Sequence, residues 1–155
     1  LEATEVEFPF LAALDLGDTD PTLLRGTVDL LVPGERGWIL ADYKSSEITA
    51  LEVPAKLESH ELQLQLYALA LRSMGLEIEQ ALVIYLAPEV ISTVDISSST
   101  LDAVQELVER FAKSRRDLDL PPTPGPNCRH CPWSEMCPES NSMAQLELSL
   151  ARASA

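Results

Sequence analysis

Nothing in this chain stays apolar for long enough to cross a bilayer. Its longest apolar run, Ala81 to Ala87, is strand-sized, far short of the roughly 20 residues a membrane helix needs. No charged-then-apolar leader pattern opens it, so a cytoplasmic protein without a membrane partner is expected. Positive charge is scarce: 11 Lys and Arg stand against 25 Asp and Glu, for a net charge of -14. Surfaces that hold nucleic acid unaided are usually basic. The charge therefore argues against tight stand-alone binding, and any action on a nucleic acid would belong to a module fed by a larger assembly. Only three cysteines occur, all in one C-terminal segment, and internal repeats are absent. The 155 residues, 46% hydrophobic and 23% charged, make one globular domain with a real core.

Hydrophobic periodicity lays out the elements. Glu5 to Leu16 reads as a first strand broken at Pro9, followed by a turn over Gly17-Asp18-Thr19-Asp20-Pro21. Gly26 to Val32 and Trp38 to Lys44 form a hairpin around Pro33 to Gly37. Ser45 to Pro54 reads as loop and Lys56 to Met74 as a helix, apolar nearly all round and hence packed on both sides, with Gly75 as its stop. Ala81 to Ala87 is a buried strand, and Val90 to Ile96 its antiparallel neighbour. A second helix is capped by Ser98-Ser99-Thr100 and ends near Arg115-Arg116. This order implies an α/β fold: a mixed sheet with helices laid against it.

The chemistry concentrates in the hairpin. Side chains alternate along a strand, so Asp42 and Lys44 project to one side, and pairing brings Asp29 within a residue or two of them. The neighbours Val28, Leu30, Val32, Ile39, Leu40 and Ala41 imply partial burial. Two carboxylates held close and dry repel each other, so one protonates or a cation sits between them. Oxygen ligands suit a hard ion, Mg2+ or Mn2+, which keeps waters and favours phosphate oxygens. Phosphoryl chemistry is the expectation, with Lys44 as a second positive charge that orients water or neutralises an oxyanion. Gln63 and Tyr67, at i, i+4 spacing, share one helix face. The apolar pattern alone puts Gln63 on an exposed edge and Tyr67 in the core.

After Leu120 the composition changes. Pro121 to Asn127 reads as a stiff strap. Cys128, Cys131 and Cys137 then follow with two and five residues between them, a spacing suited to zinc or an iron-sulfur cluster. Both normally take four protein ligands. His130 stands beside Cys131 and turns inward with difficulty, which leaves a fourth ligand elsewhere, one disulfide with a spare thiol, or three unbound thiols. The expected organisation is a core over 1–118, a strap over 119–127, a cysteine loop over 128–140 and a tail over 141–155.

Together, Gly26-Thr27-Val28-Asp29, Asp42-Tyr43-Lys44, Gln63-Leu64-Gln65-Leu66-Tyr67 and Cys-x2-Cys-x5-Cys resemble the PD-(D/E)XK nuclease superfamily. The likeness extends to the C-terminal nuclease domains of the RecB, AddA and AddB helicase-nucleases and to the iron-sulfur nucleases of CRISPR adaptation. It spans roughly Glu7 to Cys137. The resemblance implies a restriction-endonuclease-like core, with Asp29 and Asp42 on a catalytic Mg2+ or Mn2+, the Tyr43 backbone carbonyl as a further ligand, and Lys44 as the catalytic lysine. It turns Gln63 and Tyr67 toward the active site, where they position DNA. Glu7 matches an acidic accessory position, and the three cysteines match three ligands of a [4Fe-4S] cluster, with Zn2+ as the alternative metal.

The family's first-motif His and first cluster Cys have no counterpart here, and His60 does not substitute for that His. As a fragment, the chain would have both in a piece preceding Leu1; as a whole, it would be degenerate. The resemblance implies a metal-dependent deoxyribonuclease, exonucleolytic in action, working beside a helicase domain or subunit in DNA end processing. A catalytically degenerate scaffold or DNA-end binding module, stabilised by the Fe-S or Zn site, is the alternative. A zinc-stabilised protein-interaction domain is a third reading.

Overall fold

The computed structural model describes residues 3–17, 21–125, 128 and 131–139. Two compact units divide the chain, 1–113 and 114–155. The first holds one five-stranded sheet in the order β1-β2-β3-β4-β5, formed by β1 (Glu5–Leu14), β2 (Thr22–Pro33), β3 (Trp38–Lys44), β4 (Ile78–Tyr85) and β5 (Val90–Val94). All neighbours are antiparallel except β3 and β4. Parallel partners need a long crossover, and α1 (Val53–Ser73) supplies it. The sheet is therefore mixed and flanked by helices, the α/β architecture expected.

Leu64, Ala68 and Leu71 form the fully buried stripe of α1, packed with Val28, Leu31, Leu40, Val83 and Tyr85 from the strands. The apolar sequence of α1 suggested packing on both sides. Ala70, off that stripe, is also fully buried, whereas Leu62 stays 42% exposed.

Several boundaries differ from expectation for identifiable reasons. Pro9 does not break β1, where it pairs with Thr27. An edge strand has one side without a ladder, which leaves room for a missing N–H. The irregularity lies at Glu7, whose φ is +50. The turn residues Asp18, Thr19 and Asp20 lie outside the described residues. The helix expected from Lys56 begins at Val53, after a 3-10 turn over Ala50–Glu52. There the Glu52 carboxylate accepts the Thr49 N–H and hydroxyl, each at 2.8 Å, and Pro54 fits the first turn, where its N–H is not needed. At the other end Gly75 adopts φ +85, with Gly75 N–H on Arg72 O and Leu76 N–H on Leu71 O. This left-handed ending satisfies the last carbonyls.

β4 lies earlier than the apolar run suggested, because residues 86–89 form the turn into β5. Helix α2 (Ser98–Arg116) starts one residue after its cap: Leu101 N–H bonds Ser97 O, so Ser97, and not Ser98 to Thr100, ends the orphan donors. Asp95 organises that start by accepting from the Thr100 hydroxyl and from Ser97 N–H and Oγ. Among the described residues no helix is long and apolar enough to cross a membrane.

The Thr100 hydroxyl, then the Ser97 amide and hydroxyl, hold the Asp95 carboxyl below the usual carboxylate range. A carboxyl with a depressed folded pKa adds stability above its ordinary pKa and loses it as pH falls through the depressed value. Asp95→Ala is therefore expected to lower Tm at neutral pH. Thermal unfolding followed by circular dichroism checks this, and the gap to the parent should close as pH falls below the ordinary Asp range.

Candidate active site

The parallel pair sets the place. Polar side chains gather where β3 and β4 both end, at Lys44 and Tyr85, which face each other in register. Carboxyl ends of parallel strands are where open α/β sheets bind ligands. Leu40, Asp42 and Lys44 alternate onto the α1 side of the sheet, so the polar pair continues a row begun in the core. Asp42 is the one buried charged residue among those described, at 4% exposure.

A buried carboxylate needs partners, and Asp42 has two. Lys44 Nζ stands 2.8 Å from its Oδ2, and Gln63 Nε2 donates to its Oδ1 at 3.2 Å. Gln63 also accepts from Lys44 Nζ at 3.4 Å and donates to the Tyr67 hydroxyl at 3.1 Å. The amide oxygen faces an ammonium and the amide nitrogen faces two oxygens, so the network itself fixes which way the amide points. Gln63 therefore lies between strand and helix, not on the exposed edge that the apolar pattern favoured. Tyr67 is half-buried, with its ring edge-on to Phe10 at 5.2 Å.

Asp29 joins from the next strand. The β2–β3 ladder ends at Leu30↔Ala41, so one step further sets Asp29 beside Asp42. The ladder gives way there to a side chain: Asp29 Oδ2 accepts the Tyr43 N–H at 2.8 Å. The resemblance implied the Tyr43 carbonyl as a metal ligand; Asp29 holds the amide of the same residue, and the Tyr43 side chain is 42% exposed. Glu7 is exposed and left-handed opposite this break. Among the described residues no hydrogen bond or ion pair joins it to the cluster.

One atom bears on metal binding. Asp42 Oδ2 is buried and, despite the near ammonium, receives no hydrogen bond of acceptable angle. An orphaned carboxylate oxygen beside a second Asp is a donor set for a hard divalent cation. These residues fit Mg2+ or Mn2+. Among the described residues no group of three or more His, Cys, Asp or Glu is gathered for a metal, so any ion would draw on two carboxylates, backbone and water.

Spacing did not single out two further neighbours. Tyr85, 1% exposed, leaves its hydroxyl without a hydrogen bond. Burial first, then the charges of Asp42 and Glu61, raise its phenol above the ordinary value. His60 lies on α1 with its ring 6.3 Å from that of Tyr85. Burial and the Lys44 charge hold its imidazole below the ordinary value, with Asp42 opposing. Position i−3 from Gln63 was the available signal for His60.

The second unit holds the cysteines. Cys128, Cys131 and Cys137 line one pocket of about 410 Å³ with Leu120, Trp133 and Met136. None forms a disulfide. Cys128 Sγ accepts the Gly125 N–H at 3.3 Å. His130 and the tail over 141–155 lie outside the described residues.

The family model described as the PD-(D/E)XK nuclease superfamily matches residues 1–138. This chain belongs to the PD-(D/E)XK nuclease superfamily. Superfamily members are generally metal-dependent nucleases, typically using Mg2+ or Mn2+ on DNA. The crystal structure of SSO0001 shares the fold at TM-score 0.58 and 21% identity, over 87% of this chain and 60% of that one. The chain thus spans about 60% of that protein's length. No curated protein matches the sequence significantly.

A nearby glycine tests how tightly this nuclease fold holds its helix residues. A Cβ on Gly26 would stand 2.7 Å from Phe10 Cζ and 3.0 Å from Tyr67 Cε1. Gly26→Ala is expected to destabilise by about 1–3 kcal/mol, the usual cost of overpacking. Urea unfolding measures it, and a change within 0.5 kcal/mol, roughly the scatter of neutral surface substitutions, would show that both rings yield freely.

Proposed function

We propose that this chain is the metal-dependent deoxyribonuclease module of a helicase-nuclease, acting on DNA ends during resection or recombinational repair. The observation that carries the proposal is the buried Asp42 carboxylate, with one oxygen unsatisfied, between Lys44 and the strand that bears Asp29. Asp29 and Asp42, with the Tyr43 carbonyl, would hold Mg2+ or Mn2+. When bound, the cation supplies Lewis acidity and a water of lowered pKa. Lys44 would orient the attacking water and offset charge growing on the scissile phosphate. Gln63 keeps Lys44 and Asp42 in register, and Tyr67 keeps Gln63, so the helix pair positions strand and catalytic groups together. Glu7 is assigned an accessory role at the break in β1.

The order of motifs and the cysteine spacing support the RecB, AddA and AddB type, exonucleolytic action, a cytoplasmic setting and a helicase partner. The acidic balance of -14 supports dependence on that partner for DNA delivery. Three thiols on one pocket support a [4Fe-4S] cluster in the loop over 128–140, reached through the strap over 119–127 from the core over 1–118.

Cutting of a single-stranded oligonucleotide with Mg2+ or Mn2+ tests the enzyme. Asp42→Ala or Lys44→Ala is expected to lower the rate by at least about a hundredfold, the scale seen when one charge-stabilising group is lost. DNA binding without cutting would make the chain a scaffold or end-binding module instead. Iron and sulfide analysis tests the cysteines: a brown protein with iron and sulfide supports the cluster, and a colourless one with stoichiometric zinc favours the zinc-stabilised reading.

A further inference from the structure

The polar row that α1 presents at the site is longer than Gln63 and Tyr67. Lys56, His60, Gln63 and Tyr67 are separated by four, three and four residues, the spacing of one helical stripe. Three turns of helix carry this row over about 16 Å. Its two halves are engaged differently. Gln63 and Tyr67 are tied to the protein through Asp42, Lys44 and Phe10. Among the described residues the side chains of Lys56 and His60 make no hydrogen bond or ion pair, and the Lys56 charge acts on the Glu52 carboxyl and the His60 imidazole.

Beneath His60 lies the second observation. Tyr85 is 1% exposed and its hydroxyl has no partner. A buried donor left unmade carries its full desolvation cost, so a hydroxyl kept there points to a group that completes it. The nearest ring is that of His60, at 6.3 Å and tilted by 44°. Charge supplies the third argument. Lys44 is committed to Asp42 and Gln63, so phosphates beyond the scissile one need another cation, and Lys56 stands one helical turn from His60. Since Tyr85 pairs with Lys44 from β4, this half of the row lies on the β4 side, away from Asp29.

We propose that Lys56 and His60 form a subsite for the backbone phosphate next to the scissile one, on the β4 side of the Asp42–Lys44 pair, with Tyr85 as the residue that positions His60. The proposal rests on the nuclease reading above and adds the path of the strand. His60 donates from its ring to a phosphate oxygen, Lys56 supplies the charge, and the Tyr85 hydroxyl holds the ring through one water.

Steady-state cutting of a single-stranded oligonucleotide by the full chain with Mn2+, over a range of salt, tests this. Lys56→Gln and His60→Gln are each expected to raise KM about three- to tenfold with kcat changed less than threefold, the pattern of lost binding rather than lost chemistry. Lys56→Gln should also flatten the slope of log KM against log salt by about 0.7, the contribution of one phosphate contact on a single strand. Lys56→Arg should restore both. Tyr85→Phe should raise KM in the parent but add nothing in His60→Gln, a non-additivity that a merely structural role lacks.

Unchanged KM and salt slope in both variants, with the parent cutting normally, would overturn the subsite and leave the nuclease reading intact. If the parent does not cut, fluorescence anisotropy with the same labelled strand decides. Weaker binding and a flatter salt slope in Lys56→Gln would uphold the subsite while catalysis falls, and no binding by the parent would overturn both.

Discussion

Burying the Asp42 carboxylate is the constraint around which this molecule is organised. A charged oxygen pair at the end of a core strand costs several kcal/mol in lost hydration unless neighbours replace the water. Lys44 replaces part of it from two residues along the same strand, and Gln63 replaces another part from the helix above. Neither does so completely, since Oδ2 lacks a well-angled donor. Lys44 brings positive charge to Asp42 at 2.8 Å, on the same oxygen that lacks a well-angled donor.

The topology makes that arrangement available. Because β3 and β4 run parallel, α1 must cross over the sheet between them, and its buried stripe of Leu64, Ala68 and Leu71 fixes the helix in rotation. Gln63 precedes Leu64 and Tyr67 precedes Ala68, so the same core contacts aim both polar residues at the strand ends. Packing and chemistry are thus two sides of one helix. Gly26 lets Phe10 and Tyr67 approach the sheet closely enough to complete the arrangement. The unsatisfied atoms at this end, Asp42 Oδ2 and Tyr85 Oη, are the kind of local imperfection that marks sites where something else binds.

Much of this was legible in the sequence because short-range rules governed it. The hairpin, the full extent of β3 and the Gly75 stop followed from turn residues and alternation, and the shared face of Asp42 and Lys44 followed from the period of two. Long-range context governed what was not legible. Pro9 is tolerated because β1 is an edge, which no local pattern announces. Helix α1 starts early because Glu52 reaches back to Thr49. Gln63 was misjudged by hydrophobic pattern alone, since its place depends on a carboxylate from strand β3, far away in sequence. Glu7 matched an acidic accessory position, and its left-handed, exposed backbone at the irregularity in β1 is a feature that no local pattern announces. The nearness of His60 and Tyr85 to the site required the β3–β4 register, which sequence spacing does not contain.

The central claim is that Asp29 and Asp42 serve one divalent cation. A crystal grown with Mn2+ tests it most directly through the metal's anomalous signal. The account predicts one peak with a carboxylate oxygen of each residue within about 2.2 Å, the distance of inner-sphere oxygen ligands to such ions. A peak held by only one of the two, or no peak at the ends of β2 and β3 under saturating Mn2+, would contradict it.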